Sequence, residues 1–282
     1  MFKSIQGKAE VLDLYAKKLK GLDIAYQEKK ISTTFGDTNV LITGDHSKPP
    51  IILVHGSNGC APIAIETYKG LEEKFQVFAV DVLAQPNKSA DNRLSMKGEE
   101  YGKWMHEIIN SLIFKNVTLA GFSFGGLIIL KTLEFDNKNI KEVFLSAPAY
   151  IVNGNPLKAL FKIFIPMKRY MKTKNTKYVA RFLSELFTDT DAFATEFLSK
   201  VFLHFKMDFS PVPVIATKKA QLIQTPITIF AAKDDLIFPG EKMIKRATKI
   251  FPSLKKSMLL ENSKHVQSAS DNKRIVNVIL NS

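Results

Sequence analysis

Cysteine is nearly absent from this chain, which has 282 residues and the single cysteine Cys60. One cysteine excludes an internal disulfide bond and suits a reducing compartment. No stretch approaches the roughly 18 consecutive apolar residues that a membrane-spanning helix needs. The first residues carry charges where a signal peptide would need its apolar centre, so we expect a cytoplasmic protein.

Metal-binding patterns and arginine are also scarce. The five histidines are widely separated, and neither C-x-x-C nor H-E-x-x-H occurs, so we expect no metal site. The net charge of +13 comes from 40 lysines and arginines against 27 acidic residues, but only five of the basic residues are arginines. Nucleic-acid readers favour arginine for bidentate contacts, so this surplus predicts a solvated lysine-rich surface and no nucleic-acid partner.

What the chain does have is a glycine-rich turn after a short apolar run. Residues 117–120 predict a buried strand, after which Gly121 and Gly125 flank Ser123 in a G-x-S-x-G pattern. A turn this tight forces its central residue towards strained backbone angles and pushes the serine hydroxyl out of the fold. The pattern indicates a nucleophile elbow, and a tight turn with an incidental serine is the alternative.

Strand-like and helix-like segments alternate on both sides of this turn. A β-hairpin is predicted from residues 31–35 and 39–43, joined at Gly36-Asp37. Further strands are predicted at residues 50–54, 75–81, 141–146, 226–232 and 256–260, and helices at residues 10–19, 98–112 and 271–280. The alternation predicts βαβ connections and therefore a mostly parallel sheet.

The alternation stops between residues 150 and 223. Three helical stripes are predicted there, at residues 157–166, 179–187 and 193–205, with Pro166 ending the first. An all-helical insertion at this point would lie over the carboxyl ends of the strands, where ligands bind. We therefore divide the chain into a core of residues 1–149 and 224–282 and a helical cap, or lid, of residues 150–223.

The predicted cap is strongly basic. No aspartate or glutamate lies between Phe144 and Ser184, whereas eight residues of that stretch are lysine or arginine. A solvated lysine face is the plainer interpretation, and attraction to an anionic lipid or an anionic substrate is the alternative. Stable membrane insertion is not expected. The oligomeric state stays open between monomer and homodimer.

Two later segments carry residues that could act together with Ser123. Asp234 and Asp235 follow the strand at residues 226–232, and His265 follows the last strand. A serine hydroxyl is a poor nucleophile until a base takes its proton, and histidine exchanges protons near neutral pH. A carboxylate would hold the imidazole in the useful tautomer. Asp81 also ends a strand, but it precedes the serine in the chain, so we interpret it as a loop anchor.

The chain from about residue 30 to residue 282 resembles the α/β-hydrolase superfamily, in particular its capped bacterial carboxylesterase-like members. The elbow G-F-S-F-G-G and the loop H-G-S-N-G are the most specific parts of the match. The resemblance implies an α/β-hydrolase fold with a mostly parallel central sheet and an inserted all-helical cap. It favours Asp235 over Asp234, because the family motif G-x-x-D-x-x-x-P matches residues 232–239 with alanine in place of glycine.

The resemblance also implies an oxyanion hole. Its two donors would be the backbone N–H of Phe124 and that of Ser57, with Asn58 as the second choice. The family stretch D-x-x-G-x-G-x-S corresponds here to residues 81–89 without their glycines, a departure that we expect to touch no catalytic role.

These features predict a serine hydrolase without a cofactor. It would cleave the carboxylic ester of a small to medium apolar molecule through an acyl-enzyme. Lactone, thioester, amide and carbon–carbon bond cleavage use the same triad and stay open. A ligand-binding, receptor-like protein that keeps the triad but turns over little is the alternative from another class.

Overall fold

An eight-stranded sheet forms the centre of the computed structural model, which describes residues 1–282. Its strands are β1 (Tyr26–Thr33), β2 (Gly36–Thr43), β3 (Pro50–Val54), β4 (Gln76–Val80), β5 (Val117–Phe122), β6 (Ile140–Ser146), β7 (Ile227–Ala232) and β8 (Leu254–Leu260). In space they follow the order β1-β2-β4-β3-β5-β6-β7-β8. The pairs β1–β2 and β2–β4 are antiparallel and all others are parallel, so the predicted fold class is confirmed.

Helices cover both faces of this sheet. They are α1 (Ile5–Gly21), α2 (Ala61–Thr67), α3 (Glu100–Ser111), α4 (Phe124–Phe135), α5 (Pro156–Ala159), α6 (Ile165–Thr173), α7 (Lys177–Leu186), α8 (Ala192–His204), α9 (Thr217–Gln221), α10 (Gly240–Ile250) and α11 (Ala269–Leu280). Successive strand residues point to opposite faces, and the buried side chains accordingly form two cores, of 40 and 35 residues. One core contains α3, α4, α9 and α10; the other contains α1, α2, α6, α7, α8 and α11.

The β-hairpin is present, but its predicted turn at Gly36-Asp37 is wrong. Thr33 pairs with Gly36, so the turn lies at Thr34 and Phe35. Gly36 and Asp37 belong to the ladder, paired with Thr33 and Ser32. Thr33 Oγ1 also donates to the Gly36 carbonyl at 2.7 Å, and Ser32 Oγ donates to the Asp37 carboxylate at 2.8 Å. Polar cross-strand pairs thus extend the two strands beyond the apolar residues that predicted them.

Residues 150–223 contribute no strand to the sheet and hold α5 to α9 between β6 and β7. The prediction that Pro166 ends the first helix is wrong, because the helix is continuous over residues 156–173. A π-helical turn at Leu160–Phe164 joins α5 to α6 immediately before this proline. Proline lacks a backbone N–H and crowds the preceding α-helical turn, and the wider π turn lets the helix continue through it.

The helical segment of residues 150–223 is attached to the beginning of the chain. The ring of Phe2 meets the ring of Phe205 edge to face at 5.2 Å, and Lys200 forms an ion pair with Glu10 at 2.6 Å. The helix α1 thus contacts α8 as well as α2. No helix of the structure combines the length and the apolar character that crossing a membrane requires.

Candidate active site

Ser123 lies at the sharp turn between β5 and α4. Its backbone angles, φ 54° and ψ −111°, are strained for a residue with a side chain. Three backbone hydrogen bonds hold this conformation: Ser123 N–H donates to the Ser146 carbonyl, and its own carbonyl accepts from Gly126 and Ala149. The adjoining β6 and the loop after it therefore fix the position of the hydroxyl.

Two glycines make the turn possible. A Cβ atom on Gly125 would lie 2.1 Å from the Val54 carbonyl oxygen, and one on Gly121 would lie 2.8 Å from the backbone of Gly125. Both distances are far below van der Waals contact, so only glycine lets α4 begin this close to the strands β3 and β5.

The structure brings Ser123, His265 and Asp235 together at the carboxyl edge of the sheet. His265 Nε2 lies 3.0 Å from Ser123 Oγ, and His265 Nδ1 lies 2.7 Å from Asp235 Oδ2. All three residues are buried, and the imidazole lies against the rings of Phe122 and Phe238. A continuous hydrogen-bond path thus runs from the carboxylate through the imidazole to the hydroxyl.

The two neighbouring aspartates differ in their surroundings. The side chain of Asp235 is buried, and its Oδ1 accepts hydrogen bonds from the backbone of Ile237 and Phe238 at 2.7 and 2.9 Å. These bonds turn Oδ2 towards His265. Asp234 is exposed and forms no hydrogen bond to the imidazole.

The loop that carries His265 is held by the helical segment. Val266 donates to the Leu186 carbonyl at 2.8 Å, and Thr188 donates to the Val266 carbonyl at 3.0 Å. The hydroxyl of Thr188 also accepts from Lys264 N–H at 2.9 Å. The end of α7 and the residues after it therefore help to position the imidazole, a role that no sequence pattern indicated.

The H-G-S-N-G loop faces the same site. Ser57 and Phe124 both line the cavity at Ser123. Asn58 lines it too, but its N–H donates to the side chain of Gln85 at 2.7 Å. The N–H of Asn58 is thus already engaged, which leaves Ser57 as the better placed of the two candidate donors.

A cavity of about 80 Å³ opens beside Ser123. It is lined by Ser57, Asn58, Gln85, Arg93, Met96, Tyr101, Ser123, Phe124, Ala149, Phe205, Asp208, Ser210, Val212 and Phe238. Half of these residues are hydrophobic. Residues 205–212 come from the helical segment, so this segment forms one wall of the cavity.

A family model described as the α/β hydrolase fold matches residues 49–194, just over half of the chain. The chain belongs to the α/β hydrolase fold family. The sequence is 22% identical over 257 residues to the uncharacterized carboxylesterase nap of Bacillus subtilis (strain 168), covering 84% of this chain and 80% of that protein.

Solved structures agree with this membership of the α/β hydrolase family. Naproxen esterase (carboxylesterase NP) from Bacillus subtilis superposes with a TM-score of 0.82 at 20% identity, over 98% of this chain and 99% of that one. Carboxylesterase CesB (YbfK) from Bacillus subtilis gives a TM-score of 0.82 at 17% identity, over 98% of both chains. The chain is thus a carboxylesterase-like α/β hydrolase in its fold.

Several cavity residues of this hydrolase were missed by the sequence analysis. Arg93 lies in a stretch for which no element was predicted, and its Nε is 3.8 Å from Asp208 of the helical segment. Its guanidinium also donates to the Lys206 carbonyl at 2.5 Å. Gln85, in the stretch where the family glycines are missing, accepts a hydrogen bond from the N–H of Asn58 in the candidate oxyanion loop.

Other polar residues near this edge of the sheet serve the hydrolase fold. Asp81 is fully buried and accepts from Tyr15, Asn39 and the backbone of Ala61, in agreement with the predicted loop anchor. Burial raises the pKa of Asp81 to about 6. Cys60 is buried as well, and burial raises the pKa of its thiol, which suits packing and not nucleophilic attack.

His55 begins the H-G-S-N-G loop, and both of its ring nitrogens are engaged. Its Nε2 accepts from the backbone N–H of Val82 at 3.0 Å, and its Nδ1 donates to the Gly56 carbonyl at 2.7 Å. Burial lowers the pKa of His55 to about 4. The neutral imidazole therefore holds this loop against the loop after β4 through these two hydrogen bonds.

Proposed function

We propose that this chain is a serine hydrolase that cleaves carboxylic esters of small to medium apolar molecules, with Ser123 as nucleophile, His265 as base and Asp235 as its orienting acid. The observation that supports this proposal most is the hydrogen-bond path from Asp235 through His265 to Ser123. Family membership and the carboxylesterase relatives favour an ester as substrate.

In the proposed first half-reaction, Ser123 Oγ attacks the ester carbonyl while His265 Nε2 takes the hydroxyl proton. Asp235 keeps the Nδ1 proton of His265 in place and stabilises the charge that the imidazole gains. The N–H groups of Ser57 and Phe124 hold the oxyanion of the tetrahedral intermediate. Collapse of that intermediate expels the alcohol, which takes its proton from His265, and leaves an acyl-serine.

In the second half-reaction water attacks the acyl-serine. His265 takes a proton from the water, and the collapse of the second intermediate returns that proton to Ser123. The products are the carboxylic acid and the free enzyme, so no external cofactor enters the balance. Residues 150–223 act as a cap in this proposal, because they form one wall of the cavity and hold the His265 loop.

The proposal is tested with p-nitrophenyl esters of increasing acyl length, beside matched lactone, thioester and amide substrates. We expect turnover of short-chain esters by the native protein and its loss in Ser123→Ala. Turnover of only a lactone or thioester would move the reaction class while keeping the triad. Binding of esters without turnover of any of these substrates would contradict the proposal and favour a receptor-like role.

A further inference from the structure

The first helix of the cap segment exposes apolar side chains. Leu157 is 64% exposed, Leu160 42% and Phe161 61%. Phe209, 51% exposed, lies beside this helix, where its ring contacts that of Phe164 with centroids 6.0 Å apart. We call Leu157, Leu160, Phe161 and Phe209 the apolar patch. It occupies one region of the surface, unlike the scattered single apolar side chains that are normal there.

Folding of the helix does not explain this patch. The opposite face of the same helix already supplies its anchoring side chains, because Ile163, Met167 and Tyr170 are buried in the core that contains α7 and α8. A surface helix of a globular protein needs only one apolar stripe facing the core. The exposed stripe is therefore not needed to anchor the helix on the core.

The charges on the helix that carries Leu157, Leu160 and Phe161 are all basic, and Asp208 beside Phe209 is paired with Arg93 at 3.8 Å. Between Phe144 and Ser184 every charged residue is basic and exposed: Lys158, Lys162, Lys168, Arg169, Lys172, Lys174, Lys177 and Arg181. Only Lys162 has a carboxylate partner, Glu185 at 2.9 Å. Elsewhere lysines pair readily, as Lys88 does with Glu28 and Lys233 with Glu261.

The patch also adjoins the cavity. Asp208 and Ser210 line the cavity beside Ser123. Phe209, which lies between them in the chain, is exposed and belongs to the patch. A surface covering the patch would thus contact the same short segment that forms the cavity wall.

We propose that the apolar patch and its basic surroundings dock this protein onto an anionic lipid bilayer. The apolar side chains would enter the interface between headgroups and acyl chains, and the lysines would contact anionic headgroups. Charge complementarity selects this occupant, because a second copy of the chain would bring an equally basic surface against the patch. If the proposed hydrolase activity holds, the cavity receives esters that partition into the lipid.

The direct test is flotation with phosphatidylcholine vesicles, with or without phosphatidylglycerol. We expect binding to the anionic vesicles only, weakened by added salt. Ser123→Ala should float equally, so a failure of docking is separable from a failure of the proposed chemistry. Binding to neutral vesicles as strong as to anionic ones, or no binding to either, would overturn the proposal.

Two double variants locate the contact. Leu157→Ser with Phe161→Ser, and separately Lys168→Glu with Lys172→Glu, should each weaken binding to anionic vesicles by about 10-fold or more. All four side chains are exposed, so melting temperatures and p-nitrophenyl ester turnover without vesicles should stay near native values.

Matched controls carry the same changes elsewhere. Ile113→Ser alters a side chain that is 83% exposed just before β5, at the amino edge of the sheet, and Lys29→Glu with Lys256→Glu reverses two charges on the edge strands. These controls should bind like the native protein, and equal losses in them would refute the assigned surface. A patch variant that lowers the sedimentation coefficient of the protein alone, with vesicle binding unchanged, would assign the patch to a second copy instead.

Discussion

Two pairs of buried residues, His55 with Asp81 and His265 with Asp235, lie near the carboxyl edge of the sheet. The pairs differ in their hydrogen-bond partners. His55 has both ring nitrogens committed to the backbone, and Asp81 is surrounded by donors from Tyr15, Asn39 and Ala61. His265 instead bridges Asp235 and the hydroxyl of Ser123. Residue type and burial are the same in both pairs, so the hydrogen-bond partners decide which pair can move a proton.

The largest expected effect is the loss of activity when the imidazole of His265 is removed. His265→Ala should lower kcat by on the order of 10⁶-fold, because no other group contacts the Ser123 hydroxyl as a base. The matched control His106→Ala changes a half-buried histidine of α3 and should leave turnover near native. Ester hydrolysis at saturating substrate measures both, and comparable losses in the two variants would contradict the role of His265 as the base.

The next effect separates the aspartates. Asp235→Asn should lower kcat by about 10⁴-fold, because an amide can favour the wrong tautomer of His265. Asp234→Asn, one residue away and exposed, should change kcat little. Steady-state kinetics of this pair is the measurement. The opposite ranking would show that Asp234 supports the imidazole in solution.

His55 and Asp81 should affect how the free energy of unfolding depends on pH. The pKa of His55 is lowered from its ordinary value of 6.5 to about 4. This shift stabilises the folded protein at pH values above 6.5, and the stabilisation is lost as the pH falls towards 4. The pKa of Asp81 is raised from its ordinary value of 3.8 to about 6. This shift stabilises the folded protein at pH values below 3.8, and the stabilisation is lost as the pH rises through 6. The two contributions oppose each other over nearly the same pH range.

Single substitutions should expose each contribution. As the pH rises from 4 to 7, the unfolding free energy of Asp81→Asn should rise relative to that of the native protein. The unfolding free energy of His55→Gln should fall relative to native over the same range, each change being at most about 3 kcal/mol. Urea unfolding at several pH values measures these differences. Parallel curves for native protein and both variants would contradict the assigned pKa shifts.

The smallest expected effect concerns Gln85, which connects the loop after β4 to the candidate oxyanion loop. Gln85→Ala removes the acceptor of Asn58 N–H and should loosen the candidate oxyanion loop, lowering kcat by about 10-fold. Gln76→Ala, the same change at the start of β4, is the control and should leave kcat near native. Equal kcat values for both variants would remove Gln85 from the positioning of the loop.

Local patterns predicted most of the strands and the convergence of Ser123, His265 and one of two adjacent aspartates, because parallel strands end at one edge of the sheet. The choice of Asp235 over Asp234 came from the family resemblance. Local patterns did not predict the contributions of Arg93 or Thr188. Those residues lie in segments without periodicity and act through contacts with distant parts of the chain. Pro166 misled for a related reason: a π turn accommodates it, and composition carries no signal for such a turn.

The proposed reaction depends on Ser123 being an activated nucleophile. Treating the folded protein with a fluorophosphonate and mapping the adduct by peptide mass spectrometry measures this reactivity. We expect one adduct, on Ser123, that is absent in Ser123→Ala and forms far more slowly in His265→Ala. An adduct on another residue, or none on the folded native protein, would contradict it.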